Sequence, residues 1–298
     1  MKENIRLAVL GGDRRQIYMT QRLLEAGYEV SVWGLGEDHT SLNGARVCNT
    51  WETALESSEA VILPLPASVD GVRIHTPLRE GGASLRIDHL IDHIGERLLL
   101  GGRISEPVRA HCQKRSVRCI DYYESELLQL KNALPTAEGA ISIAMQSLPI
   151  TLDGATAAVL GYGRIGSLLA ARLWSLGADV TVYARRQEAL TAAQLSHHKT
   201  ARLRQDVNAS ALTSLPEGCR VVFNTIPQRL LSNETLDLIP QNCLYIDLAS
   251  APGGIDHSAA AAKGLQTLWA TALPGKYAPE TAGFILGDVM LALLEESD

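Results

Sequence analysis

Gly161, Gly163 and Gly166 stand at G-x-G-x-x-G spacing within residues 156–186, TAAVLGYGRIGSLLAARLWSLGADVTVYARR. The chemistry that spacing serves is pyrophosphate binding. The first glycine permits a tight turn, the second lets backbone approach the phosphates, and the third lets a helix pack close to a strand. Spacing alone is weak evidence, so context decides. Ala157–Leu160 is a short apolar run that reads as a buried strand. Arg164 and Ile165 open a stretch of helical period (Ile165, Leu168, Leu169, Arg172, Leu173, Leu176) that Gly177 stops, and Val180–Ala184 is a second strand. Strand, glycine turn, helix and strand together make the fingerprint a dinucleotide site. The phosphates would lie at the free N–H groups and positive dipole end of the helix.

The end of the second strand selects the dinucleotide. An acid about 20 residues beyond the fingerprint would hold the ribose 2′-hydroxyl of NAD. Here the position falls near Tyr183–Ala184, with no acid, and Arg185 and Arg186 follow. A guanidinium fork suits a 2′-phosphate, so the pattern favours NADP(H) over NAD(H). Asp179 opens the strand instead of closing it. Further strands are expected at Val221–Thr225, Leu244–Leu248 and Thr267–Ala270. Their exits are small, polar or rich in Gly and Pro: Asn224, Thr225, Ile226 and Pro227; Asp247 to Gly254 with Ala249 and Ser250; and Leu273 to Pro279. The carboxyl edge of such a sheet is where a nicotinamide ring would lie.

These elements repeat. Val9-Leu10-Gly11 corresponds to Val159-Leu160-Gly161, Gly27 to Gly177, Val30 to Val180 and Trp33 to Tyr183, an offset of 150 residues. The expected fold is therefore α/β, with two Rossmann-like domains. The second is a dinucleotide-binding doubly wound sheet, and a C-terminal helix (Glu280–Leu294) crosses back to the first. Residues 1–130, with helix 280–298, form the substrate or partner domain, and residues 131–279 the NADP-binding domain. The first turn carries Asp13 where Gly163 stands, and its carboxylate would repel a pyrophosphate. That turn either offers Arg14 or Arg15 to an anion or is a simple connection. Strands are expected at Ala60–Leu63, Leu98–Leu100 and Val117–Ile120. Pro64 to Gly82 is a long Gly- and Pro-rich stretch beginning at a strand end, which makes Ser68 a candidate contact. Glu124–Leu134 is helical in pattern, Pro135 interrupts, and Thr136 opens another helix through Gln146. Its free N–H groups would point into the cleft between domains.

The bounds agree with a globular enzyme. The 298 residues suffice for two domains, with 46% hydrophobic and 20% charged residues. A net charge of −6 argues against general nucleic-acid binding. No apolar run approaches the roughly 18 residues that span a membrane. The opening MKENIRLAVLGG has no signal-peptide shape. Five scattered cysteines, with no C-x-x-C, fit reduced cytoplasmic thiols and no metal. His197–His198 and His89–Asp92–His93 read as solvated faces.

Several segments together resemble the A-subunit family of dipicolinate synthase. They are Gly11-Gly12-Asp13-x-Arg15-Gln16, Ile62-Leu63-Pro64, Asn132-x-x-Pro135-Thr136-x-Glu138-Gly139, the fingerprint with Arg164, Asn224-Thr225-Ile226-Pro227, Asp247-Leu248-Ala249-Ser250-x-Pro252-Gly253-Gly254, and Leu273-Pro274-Gly275-Lys276-x-Ala278-Pro279-x-Thr281-Ala282-Gly283. They run in order over nearly the whole chain. Residues 66–119 look variable, and the second strand ends in Arg-Arg where the family pattern suggests a looser Ala-Arg-Ser. The resemblance implies oxidation of dihydrodipicolinate, or its 4-hydroxy-tetrahydro precursor, to dipicolinate with NADP⁺ during sporulation. It also implies a partner, the flavoprotein-like B-subunit of the synthase, and a homo-oligomer is expected. A dicarboxylate substrate needs cations or N–H donors. Lys276 is the first candidate anchor, and Asn132, Pro135, Thr136, Gly275 and Ser68 are candidate substrate contacts. Glu138 is either a general acid/base or a cap of its own helix start, and Asp247 either holds a loop or takes a proton. Asn224 and Thr225 would face the nicotinamide side.

Two other readings stay open. One is a different two-domain NADP dehydrogenase, of 2-hydroxyacid or methylenetetrahydrofolate type. A hydroxyacid enzyme needs a late His–acid pair, and His257 has only Asp256 beside it. The other is a cofactor-binding partner protein with no chemistry of its own.

Overall fold

The computed structural model describes residues 5–36, 42–81, 84–204 and 210–296. Gly82, the end of the Gly/Pro-rich stretch, lies outside the described residues. Chain contacts divide the molecule into two compact units, Met1–Asn132 with Ala278–Asp298, and Ala133–Tyr277.

The first unit is built on β1 (Arg6–Leu10), β2 (Glu29–Trp33), β3 (Arg46–Val47), β4 (Ala60–Ile62), β5 (Leu98–Gly101) and β6 (Cys119–Asp121). Helices α1 (Arg14–Glu25), α2 (Trp51–Leu55), α3 (Ile87–His93) and α4 (Glu106–Lys114) cover the sheet. Helix α5 (Glu126–Ser147) carries the chain from one unit into the other. The second unit has β7 (Thr156–Leu160), β8 (Asp179–Ala184), β9 (Lys199–Arg202), β10 (Cys219–Asn224), β11 (Leu244–Asp247) and β12 (Gln266–Trp269). Its helices are α6 (Arg164–Ser175), α7 (Gln187–Leu195), α8 (His257–Ala262) and α9 (Leu273–Tyr277). The last helix, α10 (Pro279–Glu295), belongs to the first unit.

The strand orders are β3-β2-β1-β4-β5-β6 and β9-β8-β7-β10-β11-β12. They are one order written twice, and every pairing is parallel. Parallel sheets are covered on both faces, so central strands read as continuous apolar runs. Leu7–Leu10 and Ala157–Leu160 are accordingly buried without alternation. The repeat extends to single hydrogen bonds. Gly11 N–H donates to Trp33 O at 2.7 Å, and Gly161 N–H to Tyr183 O at 2.8 Å.

Pro135 does not break the bridge. One helix runs from Glu126 to Ser147 with the proline inside it. A proline removes one backbone donor and favours a kink, but the apolar positions on both sides continue in helical register. Ala133, Ala137, Ala140, Ile141 and Ala144 are all buried. The helix start expected at Thr136 is therefore absent, and Thr136 sits in mid-helix.

Helix α10 packs on α1, as its apolar pattern requires. Leu286, Val289, Met290 and Leu294 join the core beneath β1 and β2. Asp288 binds Arg22 Nε at 2.9 Å and Lys131 Nζ at 2.8 Å. The helices approach closely at Gly283, where a Cβ would lie 2.5 Å from the Arg15 carbonyl oxygen and from Tyr18 Cβ. Gly283→Ala should therefore destabilise the first unit by about 1–3 kcal/mol, the usual cost of forcing extra volume into a packed contact. Urea unfolding followed by circular dichroism measures it, and an unchanged midpoint would refute this account of the contact.

Candidate functional site

The site is built at the carboxyl edge of the second sheet. Gly161 leaves β7 with φ +101°, a conformation L side chains rarely adopt. A Cβ there would sit 2.3 Å from Thr225 Oγ1. Gly166 lies one turn into α6, and its Cβ would meet the Gly161 carbonyl oxygen at 2.1 Å. Gly163 is the N-cap of α6, has open space where a Cβ would stand, and leaves the helix with no side-chain cap. The three glycines thus do the three tasks their spacing assigns them. The first turn, with Arg164 and Ile165, offers backbone N–H groups and the positive dipole end to whatever occupies that space.

Past β8 three arginines gather. Arg185 Nη1 donates to Gln228 Oε1 at 2.7 Å, and Arg186 is exposed at the N-cap of α7. Arg202, at the end of β9, donates to the Arg185 carbonyl at 3.2 Å and also binds Gln187. Ala184 is buried beneath them. Sequence reading found the Arg185–Arg186 pair but neither Gln228 nor Arg202. Both reach this place through strand neighbours far away in the chain, and nothing local marks them.

The exits of β10 and β11 form a hydrogen-bonded platform. Asn224 and Asp247 are fully buried. Asp247 Oδ1 accepts from Asn224 Nδ2 at 2.8 Å and Ala249 N–H at 3.2 Å, while Oδ2 accepts from Gly254 N–H at 2.7 Å. His257 Nε2 lies 3.3 Å from the same Oδ2, and its Nδ1 is 3.1 Å from Thr267 Oγ1. The imidazole stacks on Trp269, with centroids 5.4 Å apart. Asp247 therefore holds the Ala249–Gly254 loop, and Asn224 is likewise turned inward. The partner of His257 is Asp247, while Asp256 caps α8. Both ring nitrogens are engaged, so the pair offers no free nitrogen to a substrate hydroxyl. Thr225, Ile226, Pro227 and Ser250 remain at the open edge, with Thr225 Oγ1 donating to Leu160 O at 2.9 Å.

Two further segments meet in this unit. Leu273–Tyr277 is a short helix, not the loop expected around Lys276 and Gly275. Gly139 of α5 faces it, since a Cβ there would approach Leu273 Cβ at 3.1 Å and Tyr277 Cδ2 at 3.2 Å. The stretch with Pro135, Thr136 and Glu138 thus packs against the helix of Lys276, which is exposed. Glu138 is exposed in mid-helix and pairs with Arg172 at 3.4 Å, so it caps no helix start. Asn132 lies half-buried on α5 in the first unit, and the Ser68 hydroxyl donates to Asp70 at 2.9 Å.

The corresponding turn of the first unit is closed by its own chain. Asp13 accepts from Arg15 N–H at 3.0 Å, and Gln16 Oε1 accepts from Asp13 N–H at 2.9 Å, a capping box. Arg15 is buried, grips Asp13 in a bidentate pair at 2.9 and 2.8 Å, and also binds the Leu65 carbonyl. It is not offered to an anion. Gly12 N–H donates to His75 O at 2.8 Å, which lays residues 74–76 across the turn. Burial pushes the His75 imidazole below its ordinary value, so it is neutral at pH 7. Among the described residues no group of His, Cys, Asp and Glu could hold a metal, and no helix is long and apolar enough to cross a membrane.

Glycine turn, open helix start and doubly wound sheet define a two-unit α/β protein whose second unit is of the dinucleotide-binding class. The profile of the NAD-binding domain of D-isomer-specific 2-hydroxyacid dehydrogenases matches residues 126–261, and that of the N-terminal domain of the dipicolinate synthase A-subunit matches residues 6–123. The dipicolinate synthase A-subunit of Bacillus subtilis (strain 168) is 32% identical over 99% of this chain and 98% of its own. The crystal structure of the Bacillus halodurans dipicolinate synthase A-subunit superposes with a TM-score of 0.86 at 28% identity, covering 99% of both chains. That of its Bacillus subtilis counterpart gives 0.83 at 29% identity, covering 99% of this chain and 97% of the other. The chain belongs to the dipicolinate synthase A-subunit family.

Of the two glycine turns, only that of the second unit leads into an open helix start, so calorimetry should count one dinucleotide per chain. Gly163→Asp, which imports the closure of the first unit, should abolish that binding while circular dichroism stays unchanged. Two equivalent sites per chain would contradict the closed first turn.

Proposed function

We propose that the chain oxidises dihydrodipicolinate, or its 4-hydroxy-tetrahydro precursor, to dipicolinate with NADP⁺, as the A-subunit of the synthase beside a flavoprotein-like B-subunit in sporulation. The observation that carries the dehydrogenase reading is the uncapped start of α6 with free space above Gly163. The substrate reading rests on family membership. A dihydropyridine that loses a hydride and a proton becomes aromatic, so the step runs downhill; the 4-hydroxy-tetrahydro precursor must first lose its hydroxyl as water to reach that dihydropyridine. When bound, the nicotinamide dinucleotide supplies the hydride acceptor. The protein's part is to align, to neutralise the substrate's carboxylates and to hold the reactants close.

Within that reading the first turn of α6 would hold the pyrophosphate, and Arg185, Arg186 and Arg202 would supply the positive charge for the 2′-phosphate. Thr225, Ile226, Pro227 and Ser250 would contact the nicotinamide half. Lys276 anchors a substrate carboxylate as a point charge, with Thr136, Glu138 and Gly275 on the neighbouring turns of α5 and α9. The decisive assay mixes purified chain with NADP⁺ and enzymatically generated dihydrodipicolinate, with and without the B-subunit, and follows the ultraviolet absorbance of dipicolinate. No product in either mixture would reject the activity. Product only with the B-subunit present would place the chemistry in the complex.

Two variants separate cofactor from substrate. Arg185→Ala with Arg186→Ala should weaken NADPH about tenfold to more than a hundredfold and leave NADH nearly unchanged, as loss of charge-assisted contacts worth about 1.5–3 kcal/mol requires. Equal effects on the two cofactors would reject NADP selectivity. Lys276→Met should leave NADPH affinity nearly intact and raise KM or lower kcat for the dicarboxylate. Loss of NADPH affinity first would instead put Lys276 on the cofactor.

A further inference from the structure

The arginines past β8 and β9 are held only by neutral acceptors. Arg185 Nη1 donates to Gln228 Oε1 at 2.7 Å, and Arg202 donates to the Arg185 carbonyl at 3.2 Å and to Gln187 Oε1. Among the described residues, Arg185, Arg186 and Arg202 form no ion pair. Glu188, in the first turn of α7, is exposed and pairs with none of them. Like charges gathered in this way repel one another, and a half-buried guanidinium without a counter-ion is costly. Arg185 adds a second cost, because its Nε–H is buried and has no acceptor. Nε and Nη2 share one edge of the planar guanidinium. That edge is a fork that takes two oxygens of a phosphate in parallel. By engaging Nη1, Gln228 leaves this fork unused. Gln228 itself comes from a distant part of the chain. Strands β8 and β10 flank β7, so its side chain crosses the exit of β7 to reach Arg185. Its backbone is set by the turn at Ile226, whose carbonyl accepts from Gln228 N–H at 2.8 Å.

We infer that Gln228 is the positioning residue that makes this cluster selective for a 2′-phosphate: its amide fixes Arg185 without neutralising it, so the Nε–Nη2 fork and the full charge of the arginines are kept for the dianion. The inference rests on the NADP reading above and adds to it a residue that lies outside the glycine fingerprint. An acid in this place would do the opposite. Glutamate has nearly the same shape, but it would hold Arg185 as an ion pair and repel a 2′-phosphate. It would also accept from a ribose 2′-hydroxyl, as the acid of an NAD site does. The choice of amide over carboxylate at residue 228 is therefore a choice of cofactor.

Calorimetry of NADPH and NADH with the full chain compares the wild type with Gln228→Leu and Gln228→Glu. Gln228→Leu should weaken NADPH about three- to tenfold, the worth of one hydrogen bond that no longer holds Arg185. Gln228→Glu should weaken it about tenfold or more, because charge repulsion is added. NADH should bind Gln228→Leu as it binds the wild type, and Gln228→Glu at least as tightly, which also shows that both variants are folded. Phosphorus NMR of bound NADP⁺ gives a readout that a structural role would not move. The second pKa of the 2′-phosphate, ordinarily about 6, should lie lower on the wild type, since nearby cations favour the dianion. It should rise in Gln228→Glu. A wild type that binds NADH as well as NADPH would overturn the NADP reading and this inference with it. A wild type that prefers NADPH, with the preference or the phosphate pKa unchanged in Gln228→Glu, would overturn this inference alone.

Discussion

Helix α6 can start where it does only because residue 166 has no side chain. At 2.1 Å from a Cβ, the Gly161 carbonyl oxygen would exclude any other residue. That contact sets the distance between α6 and β7, and the distance sets where the first-turn N–H groups point. It also needs Gly161 to turn sharply beneath Thr225, so the exit of β10 is fixed by the same packing. An anion site made of backbone donors has no side chains to adjust, so its precision comes from such contacts.

The duplicated unit shows what changes when one position differs. Strand order and the hydrogen bond that closes the turn are shared by both sheets. With glycine at the N-cap, the second helix leaves its donors to a ligand. With Asp13 there, the first helix caps itself, and the carboxylate recruits Arg15 into a buried pair. Leaving either partner of such a pair alone would be costly, so Arg15 follows from Asp13. The fold is retained while the ligand site becomes internal structure.

Much of this was legible because the signals were local. Glycine spacing, a strand before it and a helical period after it lie within thirty-odd consecutive residues, and repetition at offset 150 carried the reading to the first unit. The edge strands β3 and β9, two and four residues long, are too short to give a periodic signal. Pro135 misled because local propensity argues for a break, whereas a row of buried alanines around it rewards continuing the helix. Gln228, Arg202 and the Asp247–His257 pair depend on which strands lie side by side, and chain order does not show that.

Asp247 shows how a residue of catalytic type can be structural. A buried carboxylate is expensive unless every lone pair has a donor. Here backbone N–H groups of Ala249 and Gly254, the Asn224 amide and His257 surround it. Together they tie the exit of β10 to the exit of β11 and to the start of α8. A binding edge built on such a network is rigid, and a rigid edge positions a ligand better than mobile side chains do. The polar atoms left at the surface of this edge, on Thr225 and Ser250, are then presented from a frame tied together by these hydrogen bonds.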